Sequence, residues 1–78
     1  MNATSLNVTE YVKTLDEGKL CFFRTTNGTP GNPNEIGTCL FMIYIINRAN
    51  EGIGISINHS TTVYYLRFVG GKIIYYAL

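Results

Sequence analysis

Residues 53–78 read IGISINHSTTVYYLRFVGGKIIYYAL, and this stretch decides the fold. Every second residue from 53 to 57 is isoleucine, and the residues between them are small or polar. This period of two is typical of a strand with one buried face. Turn-forming residues at 58–61 and the pair Gly70-Gly71 then separate two further β-branched and aromatic runs. The stretch therefore predicts three antiparallel strands joined by tight turns.

Residues 1–18 predict one short amphipathic helix. Asn7 and Glu10 have the spacing of a capping box, and Leu6 and Tyr11 occupy the two positions of a hydrophobic staple. Gly18 stands where a helix commonly ends in the left-handed conformation. We expect about two to three helical turns, with an apolar stripe that lies on the sheet.

Two more strands are expected between the helix and the closing stretch, at residues 19–25 and 36–46. A polar loop at 26–35 connects them. The predicted fold is therefore mainly β, with a short N-terminal helix packed on a small antiparallel meander of about five strands. Residues 1–78 are expected to form a single domain, because a chain of this length supports one hydrophobic core.

The run CLFMIYII at residues 39–46 is apolar on both faces of a strand. A chain of 78 residues buries only about 60% of its unfolded surface, so its stability is marginal without further support. Contacts between copies of the chain would cover the second face. The alternative is a central strand that the helix and the meander cover on both sides. Two sets are candidates for the subunit contacts: Phe41, Ile43 and Ile45, or else Leu40, Met42, Tyr44 and Ile46.

Charge and cysteine content argue against several kinds of partner. The net charge is +1 and the basic residues are dispersed, whereas nucleic-acid binding needs a clustered basic face. Cys21, Cys39 and His59 are too few to hold a structural zinc ion, and no metal or other cofactor is expected. The two thiols are expected to be free and buried, with a disulfide between adjacent strands as the alternative.

Motifs for catalysis, secretion and membrane insertion are also missing from the sequence. It contains no phosphate-binding glycine loop, no Gly-x-Ser-x-Gly and no pair of histidines, so an enzyme is not expected. The apolar run at 39–46 is far shorter than the ~20 residues of a spanning helix. Residues 1–5 lack the basic start and apolar stretch of a secretory signal. The chain is therefore expected to be cytoplasmic when made, or cut from a longer protein.

Ligand contacts are expected on the long loop and the turns, because the strand interiors are committed to packing. These segments are residues 26–35, 47–51 and 58–61. Arg48, Asn50 and His59 are the preferred ligand-binding candidates, since each can offer directional hydrogen bonds. The alternatives are that the loop only connects two strands and that the tyrosines belong to the core. Further candidates are the polar residues Arg24 and Asn47 and the aromatic residues Tyr64, Tyr65, Tyr75 and Tyr76.

A family resemblance rests on three short stretches. Residues 18–23 read GKLCFF, residues 65–67 read YLR, and residues 70–78 read GGKIIYYAL. With the Gly/Pro-containing loop and the long apolar strand, this order resembles the knob-type modules at the tips of phage tail fibres and pyocin fibres. The resemblance covers residues 7–78. The chain departs from the family pattern in having no tryptophan in the last strand and no glutamine in the strand before it.

The resemblance implies a homotrimer that forms the tip of a fibre on the virion and is made in the host cytoplasm. The chain would be the C-terminal module of a longer fibre protein, and its partner would be a bacterial surface saccharide or teichoic acid. A small chain with a strand that is apolar on both faces agrees with contacts between subunits. Two other classes stay open. One is a structural module that closes a trimer, and the other is a small intracellular adaptor that binds protein through an exposed edge strand.

Overall fold

The structure, a computed structural model, describes residues 7–33 and 37–78. Its elements are α1 (Val8–Val12), β1 (Leu20–Thr25), β2 (Cys39–Asn47), β3 (Glu51–Asn58), β4 (Val63–Val69) and β5 (Lys72–Ala77). The five strands form one antiparallel sheet in which each strand pairs with the next along the chain. The predicted meander of about five strands with one short helix is confirmed.

The turn between β4 and β5 fixes the register of the closing hairpin. Val69 pairs with Lys72, and the two glycines between them have φ angles of 60° and 77°. Residues with a side chain adopt this left-handed region at a cost, so Gly70 and Gly71 suit a two-residue turn. The tight turn predicted from the sequence is therefore present at the predicted position.

One face of the sheet packs under α1 and forms the hydrophobic core. The ring of Phe23 stacks on Phe41 with 4.8 Å between ring centres, and Tyr11 from α1 meets Phe23 edge-on at the same distance. These contacts anchor the helix to β1 and β2. The buried hydrophobic residues are Val8, Tyr11, Val12, Phe23, Cys39, Phe41, Ile43, Ile45, Leu66 and Phe68.

Strand β3 turns its small residues towards this core. Its alternation is confirmed, but Gly52, Ser56 and Asn58 are the buried set, while Ile53 and Ile57 are exposed. The reason is space. A Cβ atom on Gly52 would lie 2.9 Å from the Tyr44 carbonyl oxygen and 3.5 Å from the δ-carbons of two β2 isoleucines, so there is no room for a side chain at this position.

The helix is shorter than the sequence predicted. It has 5 residues rather than two to three turns. Its N-terminus is as expected, because Asn7 Oδ1 accepts a hydrogen bond of 2.8 Å from the Glu10 backbone. Thr14 ends it by donating both its amide and its hydroxyl to the Tyr11 carbonyl, at 2.9 and 2.6 Å. The other half of the predicted staple, Leu6, lies outside the described residues.

Gly18 has the positive φ angle that the sequence suggested, 76°, but it lies beyond the helix in the approach to β1. Its amide donates to the Ile45 carbonyl at 2.7 Å, and the Ile45 amide donates to the Lys19 carbonyl at 3.1 Å. These two bonds start the pairing of β1 with β2. Gly18 therefore helps the chain enter the sheet rather than ending α1.

The two cysteines lie far apart along the first hairpin. Cys21 is paired with Ile43, whereas Cys39 is paired with Thr25, so four residue pairs or about 13 Å separate the thiols along the strands. A disulfide needs Cα atoms within about 7 Å, so the two residues cannot bridge within one chain. Both are free, and Cys39 is buried as predicted, but Cys21 is only partly buried.

Candidate interaction surface

The second face of the sheet has no cover among the described residues. Along β2, Phe41 and Ile43 are buried, whereas Leu40 and Tyr44 expose 57% and 41% of their surface. The hypothesis that β2 is covered on both sides is therefore wrong for the part of the chain that the structure describes. We call this second surface the open face. It comprises Leu20, Phe22, Arg24, Leu40, Met42, Tyr44, Ile53, Ile55, Ile57, Tyr65, Arg67, Ile74 and Tyr76.

Strand register arranges the open face into continuous apolar rows. One row runs across all five strands, and a second row lies about 7 Å further along them. The first row is Leu20, Tyr44, Ile53, Arg67 and Ile74, and the second is Phe22, Met42, Ile55, Tyr65 and Tyr76. Two aligned rows of large side chains make one contiguous surface rather than scattered exposed residues.

Charge is sparse on this face of the sheet. Arg24 lies at one end of the open face, and Arg67 lies within the first row. Among residues 7–33 and 37–78, Arg67 makes no ion pair or side-chain hydrogen bond. The carboxylate of Glu51 lies at the opposite end, where it accepts a hydrogen bond of 2.8 Å from Asn47 Nδ2. The open face is thus largely apolar, with two cationic residues, and the row Glu51, Val69 and Lys72 borders it on the same face of the sheet.

The surface also contains a shallow depression of about 570 Å³. Its lining is almost entirely apolar, and Arg67 is the charged residue among the lining residues. A saccharide site would need several polar groups converging on one concavity. This depression instead suits an apolar side chain. The lining residues are Leu20, Met42, Tyr44, Ile53, Gly54, Ile55, Tyr65, Leu66 and Arg67.

The four candidate tyrosines are divided between the two faces of the sheet. Tyr65 and Tyr76 lie on the open face, where their rings stack at 4.7 Å with an angle of 12° between planes. Tyr64 and Tyr75 lie on the core side and meet edge-on at 6.2 Å. Burial raises the pKa of the Tyr75 phenol well above its usual range. Tyr75 therefore packs against the core with Tyr64 beside it, whereas Tyr65 and Tyr76 remain available to a partner.

The polar candidates are separated as well. Asn47 ends β2 and Arg48 and Asn50 lie in the turn that follows it, whereas His59 belongs to the turn between β3 and β4. Consecutive turns of a meander lie at opposite ends of the sheet, here about 24 Å apart along β3. Arg24 lies near His59, and both border a depression of about 380 Å³. The structure thus brings these two together and does not bring them to the other three.

Arg48 has structural partners in the segment that follows α1. Its Nη1 lies 3.7 Å from Asp16 Oδ1, and its backbone amide donates to Glu17 Oε1 at 3.3 Å. These contacts connect the β2–β3 turn to the segment that follows α1. All of these side chains are exposed, so the ion pair contributes little to stability.

The described part of the long loop, residues 26–33, is folded against the core side. The Pro30 carbonyl accepts from the Val8 amide at 2.9 Å, and the Gly31 carbonyl accepts from the Tyr75 hydroxyl at 2.7 Å. Asn32 Nδ2 donates to the Thr26 carbonyl at 3.3 Å. These bonds give the loop a packing role between α1 and β5. The end of the predicted 26–35 segment lies outside the described residues.

Metal binding and membrane crossing find no support in the described residues. No group of three or more His, Cys, Asp or Glu side chains comes together in residues 7–33 and 37–78. In the same part of the chain no helix is long and apolar enough to span a bilayer. Comparison with protein-family models, curated proteins and solved structures finds no match for this chain.

The sequence located part of the open face and missed the rest. The set Leu40, Met42, Tyr44 and Ile46 was one of two proposed contact sets, and it is the one that faces outward. The outward isoleucines of β3 and Phe22 of β1 were not proposed. For the isoleucines, the sequence signal was glycine at positions 52 and 54. Glycine has no side chain to fill a core, so a strand face that carries it can be the inner one while the isoleucines point outward.

Proposed function

We propose that this chain is an association module, which assembles with copies of itself by burying the open face. The observation that carries the proposal is the size of that apolar surface. Large side chains have on the order of 150–200 Å² of surface each. Eight of them on the open face expose 40–68%, and with the smaller contributions of Met42, Ile55 and Tyr76 this gives on the order of 800 Å². Stable protein interfaces bury about that area on each partner.

Two features of the surface support protein as the partner. Contiguous apolar patches of this extent are rare on monomers, because water favours their burial. The rows also carry tyrosine, phenylalanine, methionine and arginine, the residue types enriched at interface centres, and carry no lysine. The role is then structural closure of an assembly, which the sequence left open as an alternative to ligand binding.

The test is the mass of the protein in solution with and without a charge on the open face. Sedimentation equilibrium of the parent at 5–100 µM, a range of about twentyfold, should give an oligomer. Ile55→Lys should give a folded monomer of 8.7 kDa. Asn50→Lys, which places the same charge on an exposed turn, should keep the parent mass. A monomeric parent, or an oligomer that Ile55→Lys does not change, refutes the proposal.

Host attachment by the tip of a phage tail fibre is a second candidate. The stacked pair of Tyr65 and Tyr76 supports it, because exposed aromatic rings can pack on sugar C–H surfaces. The test is binding to bacterial cells or to a glycan array. Loss of binding in Arg48→Ala or His59→Ala would assign the site to the turns. Loss only in Tyr65→Ala, with the melting temperature maintained, would assign it to the open face. Binding that none of the three changes would refute a saccharide site in these residues.

A further inference from the structure

We propose that the open face packs on the open face of a second copy, about a two-fold axis that runs along β3. This inference rests on the proposed function and adds the arrangement of the assembly. Two such sheets would form a sandwich with about 10 Å between them and strands aligned within about 30°. Each copy would supply one layer, and its own helix would cover the outer side of that layer.

The distribution of side-chain size across the face supports two sheets rather than three. Around a three-fold axis, three sheets form a triangular prism, which is deepest over the middle strand and closes towards the outer strands. Within the two rows the middle strand β3 carries only isoleucine, whereas the outer strands carry Phe22 and Tyr76. Large residues would therefore lie where a prism has least room. A sandwich has a nearly even gap and accepts this distribution.

Strand order determines which residues would meet. An axis along β3 places β3 over β3 and places β2 of one copy over β4 of the other. In the first row, Arg67 then meets Tyr44 of the second copy, and in the second row Met42 meets Tyr65. The isoleucines of β3 meet their own counterparts near the axis. The arrangement is self-complementary, as a two-fold interface must be.

This pairing also provides a contact for Arg67, which has no ion pair within the described part of its own chain. The face of a tyrosine ring attracts a guanidinium group, and removal of water strengthens that attraction. The two Arg67 residues would lie on opposite sides of the axis, about 10 Å apart across two strand spacings. The two guanidinium groups are therefore well separated, and each packs on an aromatic ring.

The first experiment pairs opposite charges across the predicted contact. Met42→Lys and Tyr65→Glu should each raise the dissociation constant at least about 100-fold, because each buries an unpaired charge. An equal mixture of the two variants should recover a dimer that contains one chain of each. A mixture of Met42→Lys with Tyr44→Glu should remain monomeric, since Tyr44 lies in the other row. Far-UV circular dichroism of each variant checks that it is folded.

The second experiment needs no substitution. In an equal mixture of ¹³C-labelled and unlabelled parent protein, isotope-filtered NMR reports only contacts between copies. Contacts from the Met42 methyl group to the Tyr65 ring are expected, together with contacts from Ile55 to its counterpart. Contacts from Met42 to Tyr44 instead would show an axis across the strands and would overturn the proposed arrangement.

The outcomes separate this inference from the proposed function. If both single variants lose association and only the mixture with Tyr44→Glu recovers it, the open face is the interface but the axis is wrong. A parent mass of three chains would also overturn the two-fold arrangement, and it would favour the homotrimer that the family resemblance implies. If neither Met42→Lys nor Tyr65→Glu changes the mass of the parent assembly, both the arrangement and the proposed function fail.

Discussion

Replacement of Gly54 by alanine tests how closely β2 and β3 approach at the centre of the sheet. A Cβ atom built on Gly54 overlaps the Met42 carbonyl oxygen and lies 2.8 Å from the Ile43 Cα. Both neighbours are backbone atoms, so no side chain can rotate away. The Ile43 backbone alone would have to move by about 0.6 Å, from 2.8 to the 3.4 Å of an ordinary contact, and the carbonyl would have to move further.

The cost follows from the backbone bonds that this movement weakens. Gly54 is paired with Ile43 on one side and with Leu66 on the other, so β3 cannot move away from β2 without approaching β4. Loss of two ladder hydrogen bonds costs about 2 kcal/mol, and overpacking adds about 1–3 kcal/mol. A net loss of about 3–5 kcal/mol corresponds to a fall in melting temperature of about 12–40 °C for a domain of this size.

Gly28→Ala provides the matched control. Gly28 has a φ angle of 83°, but a Cβ atom there would have no heavy atom within 4 Å. Its substitution should therefore cost only the left-handed strain of about 1–2 kcal/mol. Thermal unfolding of the parent and both variants at one protein concentration measures the difference. A Gly54→Ala protein that melts within about 5 °C of the parent, or above Gly28→Ala, would refute the close approach of the two strands.

Three further predictions concern single side chains. In the native protein the partly buried Cys21 should react with iodoacetamide at least about tenfold faster than the buried Cys39, and equal rates would contradict their different burial. Tyr75→Phe should cost about 1 kcal/mol at neutral pH through loss of its hydroxyl bond to the loop. Because burial raises the Tyr75 pKa, parent stability should fall as pH rises above about 10, where the unfolded phenol ionises first. Thermal melts at a series of pH values should show a smaller fall in Tyr75→Phe, and an unchanged fall would contradict the assignment. Arg48→Ala and His59→Ala should each keep the melting temperature within about 4 °C of the parent, since both side chains are exposed.

Local chemistry in the sequence was sufficient to predict the order of the elements. The Gly70-Gly71 turn determines the last hairpin, and Asn7 begins the helix where the spacing to Glu10 predicted. The length of α1 was harder to predict from the sequence. The hydroxyl of Thr14 competes for a helix carbonyl, and this competition depends on the side-chain rotamer rather than on residue spacing.

The candidate site could be predicted only in part, because the neighbouring strands determine which face of a strand is buried. The pattern of β3 indicates two unlike faces, but an isoleucine face is usually taken as the buried one. Here Gly52 and Gly54 lie towards the core because the β2 backbone approaches both positions too closely to leave room for a side chain. Separation of Arg48 from His59, in contrast, follows from topology alone. Two consecutive turns of an antiparallel meander cannot lie at the same end of the sheet.

The two faces of β3, small residues towards the core and isoleucine on the open face, together have a consequence for stability. A strand that turns glycine and serine to its core contributes little apolar burial to the single chain, so the folded monomer has only modest stability. The surface that would supply the missing burial is the open face, about 800 Å² or roughly 20 kcal/mol of gross hydrophobic free energy on each copy before the costs of association. Folding and association should then be thermodynamically coupled, and the melting temperature should rise with protein concentration. A parent protein whose melting temperature is the same at 5 and 500 µM, a range of about a hundredfold, would show that the sheet is stable without its second layer.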